Sequence, residues 1–336
     1  MASTTTQKLL RTLGPLAALG AVWVLFAALV PGGRFTSLDN QRLMLLQTAV
    51  VGTAAMGATL IIASGGIDLS IGSTVALCTM VIAWLINQGW ASGLAGLVGG
   101  VGVAMVVGAL IGGMVTGRLL PRPIPKLEMP AFIVTLGMLG IVRGLAQGLG
   151  GERPMYPADS GVLPHLMASV PPPAWMPRVL VWLPPGVWLF LLVAVAMSFV
   201  LRRTVLGRRA LAIGDNATAA RYAGVPVDLT KVIVYAAGVG CGGVAAVMQY
   251  SYLTGGDPGT ANGLELSVIA SCVIGGASLS GGSASVLGTM VGALLMTVVA
   301  NGCTKLELQN WVQMVITGVI IVGAVGLDQV RRKAPG

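Results

Sequence analysis

The sequence predicts an all-α integral membrane protein with about ten transmembrane helices. Of its 336 residues, 55% are hydrophobic and only 9% are charged, and the mean hydropathy is +0.87. A water-soluble domain with so few charges would precipitate. Apolar runs of about 20 residues, the length that a hydrocarbon core roughly 30 Å thick requires, recur along the whole chain. Only short connectors separate them, so we expect residues 1–336 to form a single transmembrane domain.

The apolar runs define ten predicted spans. The first follows Lys8 and Arg11 and superficially resembles a secretory signal. It is about as long as a full span and is followed by Pro31, Gly32 and Gly33 rather than by a small-residue cleavage pattern, so we interpret it as a retained helix. The predicted spans are 13–30, 43–63, 71–87, 93–117, 130–149, 186–201, 230–252, 264–279, 285–302 and 311–327.

The basic residues predict the orientation of the spans. The net charge is +9, and most of the 20 lysines and arginines fall in alternate connectors. Positive residues concentrate on the cytoplasmic side of membrane proteins, so we expect both termini to be cytoplasmic (N-in, C-in). The positive charge then follows from topology, and no nucleic-acid partner is expected. The clustered residues are Lys8, Arg11, Arg118, Arg122, Lys126, Arg202, Arg203, Arg208, Arg209, Arg221, Lys231, Arg331, Arg332 and Lys333.

The connector at residues 150–185 is rich in proline and aromatic residues and falls on the outer side. We expect an ordered cap or short interfacial helices there. Its composition fits an ordinary linker and the docking of an external partner equally well. The one histidine of the chain, His165, lies in this connector. A lone histidine does not assemble a zinc site, so no metal is predicted.

The connector at residues 202–229 falls on the inner side and is too polar to span. Asp215 or Asn216 can cap a short helix at 217–222, which Gly224 and the proline after it then stop. We expect this helix to lie along the cytoplasmic surface and to expose Asn216 to a partner.

Two pairs of segments suggest an internal repeat. The segment at 66–73, GIDLSIGS, is echoed at 263–271, GLELSVIAS, and the segment at 106–115, VVGALIGGMV, is echoed at 290–299, MVGALLMTVV. An odd number of crossings separates the members of each pair, so they run through the bilayer in opposite directions. This is the pattern of an inverted-topology repeat, whose substrate path lies between the halves. Chance similarity between apolar segments is the alternative.

The sequence lacks the motifs of the common hydrolases. It contains no GK dipeptide, which excludes a Walker A loop, and no HExxH or GxSxG. We therefore predict neither an enzyme nor a bound cofactor. Ion-coupled transporters place several ionisable residues within their spans, whereas here only Asp68 and Glu265 occupy the ends of apolar runs. A passive permease driven from outside itself is favoured over an ion-coupled carrier.

Five motifs, in order across nearly the whole chain, resemble the membrane permeases of bacterial ribose-type ABC sugar importers, a group that includes galactofuranose, xylose and autoinducer-2 permeases. The motifs are ASGGIDLSIGS, PAFIVTLGMLGIVRGL, AIGDNATAARYAGV, LELSVIASCVIGGASLSGGSASVLGTMVGAL and VQMVITGVIIVGAVGLD. The resemblance implies a multi-pass permease of the bacterial inner membrane with an inverted repeat. It also implies a second permease copy or paralogue, cytoplasmic ABC ATPase subunits, and a periplasmic or lipid-anchored sugar-binding protein.

The resemblance also assigns a coupling loop and a transport role. The expected function is the import of a ribose-like pentose or hexose. The alternatives are an ABC permease for another small solute, such as autoinducer-2, a nucleoside or a branched-chain amino acid, or an ion-coupled secondary transporter. The residues expected to couple to the ATPase are Gly214, Asp215, Asn216, Ala219, Ala220 and Gly224. All of these except Asp215, together with Ala212, match the family pattern A-x-G-x-N-x-x-A-A-x-x-x-G.

Six polar residues are candidates for the translocation path. Asp68 either caps the start of its span or contacts substrate hydroxyls, and Glu265 is expected to occupy the equivalent place in the other half. Arg143 either lines the path or extends to the outer headgroups. The full set is Asp68, Ser70, Arg143, Asn262, Glu265 and Ser267.

Overall fold

The computed structural model describes residues 4–118, 129–167 and 183–333, and these ranges contain eleven helices and one isolated β-bridge. A π-helical stretch, Gly96–Gly102, lies inside the fourth helix. The helices are α1 (Thr4–Leu29), α2 (Leu38–Ala63), α3 (Ile71–Asn87), α4 (Ser92–Val115), α5 (Ala131–Gly150), α6 (Pro185–Arg203), α7 (Val205–Tyr222), α8 (Val227–Leu253), α9 (Leu264–Ile274), α10 (Val286–Lys305) and α11 (Asn310–Lys333).

Every predicted span falls on one of these helices. Within the described residues, six helices are long and apolar enough to cross a bilayer, namely α2, α4, α5, α6, α8 and α10. Four further apolar stretches are shorter, at Gly14–Leu29, Ile71–Asn87, Leu264–Ile274 and Asn310–Gly323. The chain is therefore an all-α, multi-pass integral membrane protein, as its composition predicts.

One span boundary is wrong in a way that matters for the site. The sequence predicts helix to residue 279, but α9 ends at Ile274. Gly276 adopts φ +88°, a left-handed conformation that glycine reaches without a steric penalty. The Ala277 amide then donates to the Cys272 carbonyl at 2.9 Å, which closes the helix end. The apolar residues Ala277 and Leu279 follow this point, but the helix does not continue to them.

The centre of the bundle is the crossing of α2 and α8. A side chain at Gly57 would clash with the Gly238 carbonyl oxygen, and a Cβ at Gly238 would lie 2.9 Å from the Gly57 carbonyl oxygen. Glycines at both positions allow the two backbones to touch, as in other tightly packed membrane helices. Around the crossing, α2 is almost wholly buried from Thr48 to Ala63.

The packing has the reciprocity expected of two inverted repeats. The first unit is α2, α3 and α4, and the second is α8, α9 and α10. Helix α8 packs against α4, and its counterpart α2 packs against α10. Likewise α8 packs against α3, and α2 packs against α9. Each long helix thus completes the core of the other unit.

Small residues of α4 lie directly against α8. A Cβ at Gly100 would lie 2.9 Å from the Gly243 carbonyl oxygen, and one at Gly112 would lie 2.7 Å from Val232 Cα. The glycines of α4 that face α8 therefore serve close helix packing. On the other side of the core, Asn40 of α2 and Asn301 of α10 exchange two buried amide hydrogen bonds, of 2.9 and 3.1 Å.

The predicted cap at residues 150–185 is described only to residue 167 and again from 183. In the described part, Met155 pairs with Gly256 through two backbone hydrogen bonds of 2.8 Å. A 3₁₀ turn at Leu163–Leu166 follows, and Leu163 is buried against Ile82 and Tyr250. This part of the connector is ordered and packed on the bundle. The tryptophan-containing part lies outside the described residues.

Candidate functional site

A non-helical segment interrupts the bundle between α8 and α9, from Thr254 to Gly263. Three of its residues have positive φ angles, Thr254 at 56°, Ala261 at 58° and Gly263 at 78°. The helix that follows, α9, has only 11 residues, which is about 16 Å, or roughly half of the hydrocarbon core. Irregular backbone at membrane depth is tolerated only where protein or a cavity surrounds it. In transporters, such a break marks the place where functional polar groups gather.

Arg143 of α5 holds this break in place. Its Nη1 donates to the Pro258 carbonyl at 2.8 Å and to the Thr260 carbonyl at 2.7 Å. Gln249 of α8 adds a third contact, since its Nε2 donates to Thr260 Oγ1 at 2.9 Å. Carbonyls that have no helical partner are thereby satisfied. The guanidinium of Arg143 thus turns to the backbone of this segment, and both expected roles, lining the path and reaching the outer headgroups, stay predictions.

Two other candidate residues lie at the end of the same segment. The exposed Asn262 donates through Nδ2 to the Gly259 carbonyl at 2.8 Å. Ser267, one turn into α9, makes a long contact of 3.5 Å with the Gly263 carbonyl. The side chain of Asn262 thus stabilises the turn, and Ser267 remains weakly engaged on the helix face.

Asp68 organises the turn that leads into α3. Its Oδ1 accepts from both the amide and the hydroxyl of Ser70, at 2.8 and 2.6 Å. The residue is 4% exposed, and its Oδ2 has no hydrogen-bond partner among the described residues. Burial raises the pKa of this connector carboxyl, although the two hydrogen bonds from Ser70 oppose that effect. The prediction that Asp68 caps the helix needs correction: Ser70 is the N-cap residue, and Asp68 forms the Asx turn before it.

Glu265 brings the two halves of the site together. It lies inside the first turn of α9, so its position in the chain is not equivalent to that of Asp68, which precedes α3. The reason is that Gly263, rather than a side chain, occupies the N-cap position of α9. A Cβ at Gly72 of α3 would clash with Glu265 Oε2, so the glutamate rests on the first turn of α3. Glu265 also interacts electrostatically with both Asp68 and Arg143.

At the opposite end of α9, three glycines meet at what we call the glycine junction: Gly65, Gly214 and Gly281. A Cβ at Gly281 would lie 2.6 Å from Gly214 Cα and 2.8 Å from the Gly65 nitrogen. The neighbouring Gly282 amide donates to the Ala63 carbonyl at 3.1 Å. Three segments therefore touch through their backbones: the end of α2, the middle of α7, and the α9–α10 connector.

The helix α7 bends at Asn216, next to the junction. Asn216 has φ −155° and ψ 101°, and its Oδ1 accepts from the Ala219 amide at 2.9 Å. The predicted helix cap is confirmed, and of the two candidates it is Asn216 rather than Asp215. Before the bend, residues 205–215 are also helical, which the sequence did not predict.

Beyond the bend, one face of α7 is polar and exposed. Ala220 is buried against Ile213 and Val227, whereas Asn216 and Ala219 are exposed. Tyr222 is 89% exposed. Gly224, with φ +81°, turns the chain back into α8. The six predicted coupling residues thus split into a contact with the core at Gly214 and Ala220 and an exposed face around Asn216.

The structure adds residues that the sequence did not single out. Gly281, Gln249 and Tyr235, whose hydroxyl lies 3.4 Å from the Ile67 carbonyl, all support the predicted residues. The glycine-rich stretch GGASLSGGS contained the signal for the junction. Gln249 and Tyr235 carry no local signal, because their partners are distant in the chain. Within the described ranges, no group of three His, Cys, Asp or Glu side chains is placed to hold a metal ion.

The chain is thus an apolar helical bundle with a non-helical segment between α8 and α9 and with a polar helix exposed at one end. Residues 42–325 match the family described as "Branched-chain amino acid transport system / permease component". The chain belongs to this family of multi-pass membrane permeases.

The relatives narrow the class to ABC transporter permeases. The chain is 31% identical over 93% of its length to the "Probable ABC transporter permease protein YphD" of Escherichia coli K12, covering 88% of that protein. It is 35% identical over 95% of its length to the "L-arabinose ABC transporter permease protein AraH" of Azospirillum brasilense, covering 93%. It is 32% identical over 93% of its length to the "Autoinducer 2 import system permease protein LsrC" of Yersinia pseudotuberculosis, covering 83%. No solved structure matches the chain significantly.

Proposed function

We propose that the chain is the membrane permease of an ATP-driven importer for a monosaccharide, and that ATP is hydrolysed by a separate cytoplasmic subunit. The observation that carries this proposal is the glycine junction. It connects the exposed surface around Asn216 to the α2–α3 connector at Gly65 and to the α9–α10 connector at Gly281. A movement of that surface is therefore transmitted to the helices on either side of the proposed path through direct backbone contacts rather than through flexible side chains.

The proposed path runs along the break, bordered by Asp68, Ser70, Arg143, Asn262, Glu265 and Ser267. Each has an oxygen or nitrogen that a hydroxylated solute can use, and Asp68 Oδ2 has no hydrogen-bond partner among the described residues. Arg143 acts by positioning the segment that the solute passes. Transport then follows alternating access: ATP closes the ATPase dimer, α7 moves, and the two repeats rock about the α2–α8 crossing.

The proposed topology has ten crossings with both termini cytoplasmic. The six long helices supply six of them. The shorter α1, α3 and α11 supply three, and α9 crosses together with the Thr254–Gly263 segment. This arrangement places the Asn216 surface in the cytoplasm with Arg202, Arg203, Arg208 and Arg209, as the distribution of positive charge requires.

The proposed substrate class rests on the relatives. Two of them are named for L-arabinose and for autoinducer-2, and both names refer to small hydroxylated solutes. A monosaccharide is the class we propose, with an autoinducer-2-like solute as the second candidate. A secreted sugar-binding protein and a second permease, either a copy of this chain or a paralogue, complete the proposed importer. Affinity resides mainly in the binding protein, because a permease that held its sugar tightly would release it slowly.

Uptake into proteoliposomes tests this proposal. The permease is purified with the ATPase and binding protein encoded beside it, and uptake of labelled L-arabinose, D-ribose and D-xylose is measured with and without internal ATP. We expect uptake of one of these sugars to require ATP and to be unaffected by an ionophore. Uptake by the purified chain alone that an ionophore abolishes would instead establish an ion-coupled carrier.

A further inference from the structure

A cavity of about 370 Å³ lies between α2, α8, α9 and α10, at the end of the bundle away from the glycine junction. We call it the distal cavity. Its volume is near the lower end of the roughly 300 to 1,000 Å³ found for small-molecule sites. It therefore suits a solute of a few ring atoms rather than a nucleotide or a peptide. The lining residues on which its chemistry depends are Gln47, Gln249, Tyr252, Ser267, Ala300 and Lys305.

The lining is mostly apolar with a few polar groups, which is the composition of sites that bind small ligands. Gln47 is the most informative of these groups. Its Oε1 is buried and has no hydrogen-bond partner among the described residues. A buried amide oxygen without a donor is unfavourable. If the Gln47 side chain rotates toward the cavity that it lines, a hydroxyl group of a solute there can donate to this oxygen.

The charge of the lining limits the solute further. Among the lining residues, all of which belong to the described part of the chain, Lys305 carries the one charge and there is no carboxylate. A cationic solute would meet no compensating charge there. A neutral polyhydroxylated solute needs none, and it can use the amide of Gln47 and the hydroxyls of Ser267 and Tyr252.

The cavity is continuous with the proposed path. Of the lining residues, Ala261 belongs to the break between α8 and α9, and Leu264 and Ser267 lie in the first turn of α9 that follows it. Gln249 lines the cavity while its Nε2 donates to Thr260, a residue that Arg143 also holds. A shift of the broken segment therefore changes the shape of the cavity.

We propose that the distal cavity receives one neutral polyhydroxylated solute of monosaccharide size during transport, and that Gln47 hydrogen-bonds to one of its hydroxyl groups. This rests on the proposed function and adds to it the place where the permease selects its solute. In this proposal, the distal cavity is the site at which the permease selects its solute. The segment from Thr254 to Gly263 is the gate, which opens when the ATPase acts.

Two substitutions test the cavity, each with a matched control. Gln47→Met removes the amide and keeps the length of the side chain; Gln147→Met, at an exposed position of α5 outside the cavity, is its control. Ala300→Trp fills the cavity; Val195→Trp, at a position of α6 that is 67% exposed, is its control. All are assayed in the complete importer for uptake of L-arabinose, D-ribose and D-xylose, with L-leucine as an amino-acid probe.

We expect Gln47→Met to lower the uptake rate at limiting sugar roughly tenfold, as the loss of one well-placed hydrogen bond does. Ala300→Trp abolishes uptake, and both controls behave as the wild type. As a second measurement, Ala300→Cys is labelled by a membrane-impermeant maleimide in the importer, and the transported sugar together with its binding protein slows the labelling.

The failures of the two proposals are distinguishable. If the wild-type importer transports a sugar but neither Gln47→Met nor Ala300→Trp changes uptake, or the sugar does not protect Ala300→Cys, the role of the cavity is overturned while the proposed function stands. If the wild-type importer takes up L-leucine and none of the sugars, the proposed sugar substrate itself is wrong.

Discussion

One oxygen of Asp68 organises a turn, and the other lies buried beside the proposed path. The Oδ1 contacts with Ser70 are acceptor contacts that an amide oxygen could also make. The architectural role of Asp68 therefore needs an acceptor, whereas a role in transport depends on the second oxygen. The turn therefore uses one oxygen of Asp68, and the proposed contact with the solute would use the other.

Substitution of Asp68 should separate these functions experimentally. Asp68→Asn keeps the acceptor, so we expect the thermal unfolding midpoint of the purified protein to match the wild type while sugar uptake falls. Asp68→Ala leaves the Ser70 donors unpaired in a buried turn, at a cost of about 1–3 kcal/mol, and should lower the midpoint as well. Equal destabilisation by both substitutions would contradict the assignment of the turn to Oδ1.

At the scale of residues, hydrogen bonds between neighbours in the chain were predictable from the sequence, and hydrogen bonds between distant residues were not. The cap at Asn216 involves an amide three residues away, so the pattern of neighbours reveals it. The partners of Arg143 lie 115 and 117 positions along the chain, and no local pattern specifies them. A lone arginine in an apolar run indicates a function but not the groups that it binds.

At the scale of elements, glycine decides how closely the helices approach. The crossing of α2 and α8 brings Gly57 against the Gly238 carbonyl, and α4 contacts α8 in the same way at Gly100. Small residues let helix backbones approach each other closely. The sequence does not show which glycines meet, since that depends on the rotation of each helix in the bundle.

Gly57→Ala tests the crossing. The added methyl group has no space beside the Gly238 carbonyl, so the helices must separate, and we expect a loss of about 1–3 kcal/mol of stability. Gly144→Ala in α5 is the matched control, because a Cβ there has no neighbour within 4 Å. Thermal unfolding in detergent is the measurement. A midpoint for Gly57→Ala equal to that of Gly144→Ala would show that the helices do not cross at this residue.

Element lengths were predicted well where hydropathy and backbone agree. The predicted end of α9 was wrong because Ala277 and Leu279 extend the apolar pattern, while Gly275 and Gly276 end the helix. That mismatch coincides with the glycine junction. The conflict between the hydropathy of the segment and its backbone is therefore informative, because such conflicts tend to occur at functional positions.

At the scale of the whole molecule, the helices α2–α4 and α8–α10 pack reciprocally around one core, and one polar helix contacts both sets. The repeated segments in the sequence correspond to α3 with α9 and to α4 with α10, and their packing on α8 and α2 is reciprocal. The inverted repeat stays a prediction, which this reciprocal packing supports. The sequence could not predict that Gly214 would contact the end of α2 and the α9–α10 connector, because that contact exists only in the folded chain.

The ratio of sugar transported to ATP hydrolysed in the reconstituted importer measures whether ATP hydrolysis drives transport through this contact. Gly214→Ala forces the junction apart, and Asn216→Ala removes the helix cap; Gly137→Ala, whose Cβ has no neighbour within 4 Å, is the control. We expect both junction variants to hydrolyse ATP while the ratio falls at least about fivefold, the lower end of usual coupling between sites. An unchanged ratio in Gly214→Ala and Asn216→Ala, with the control also unchanged, would show that the glycine junction does not couple ATP hydrolysis to transport.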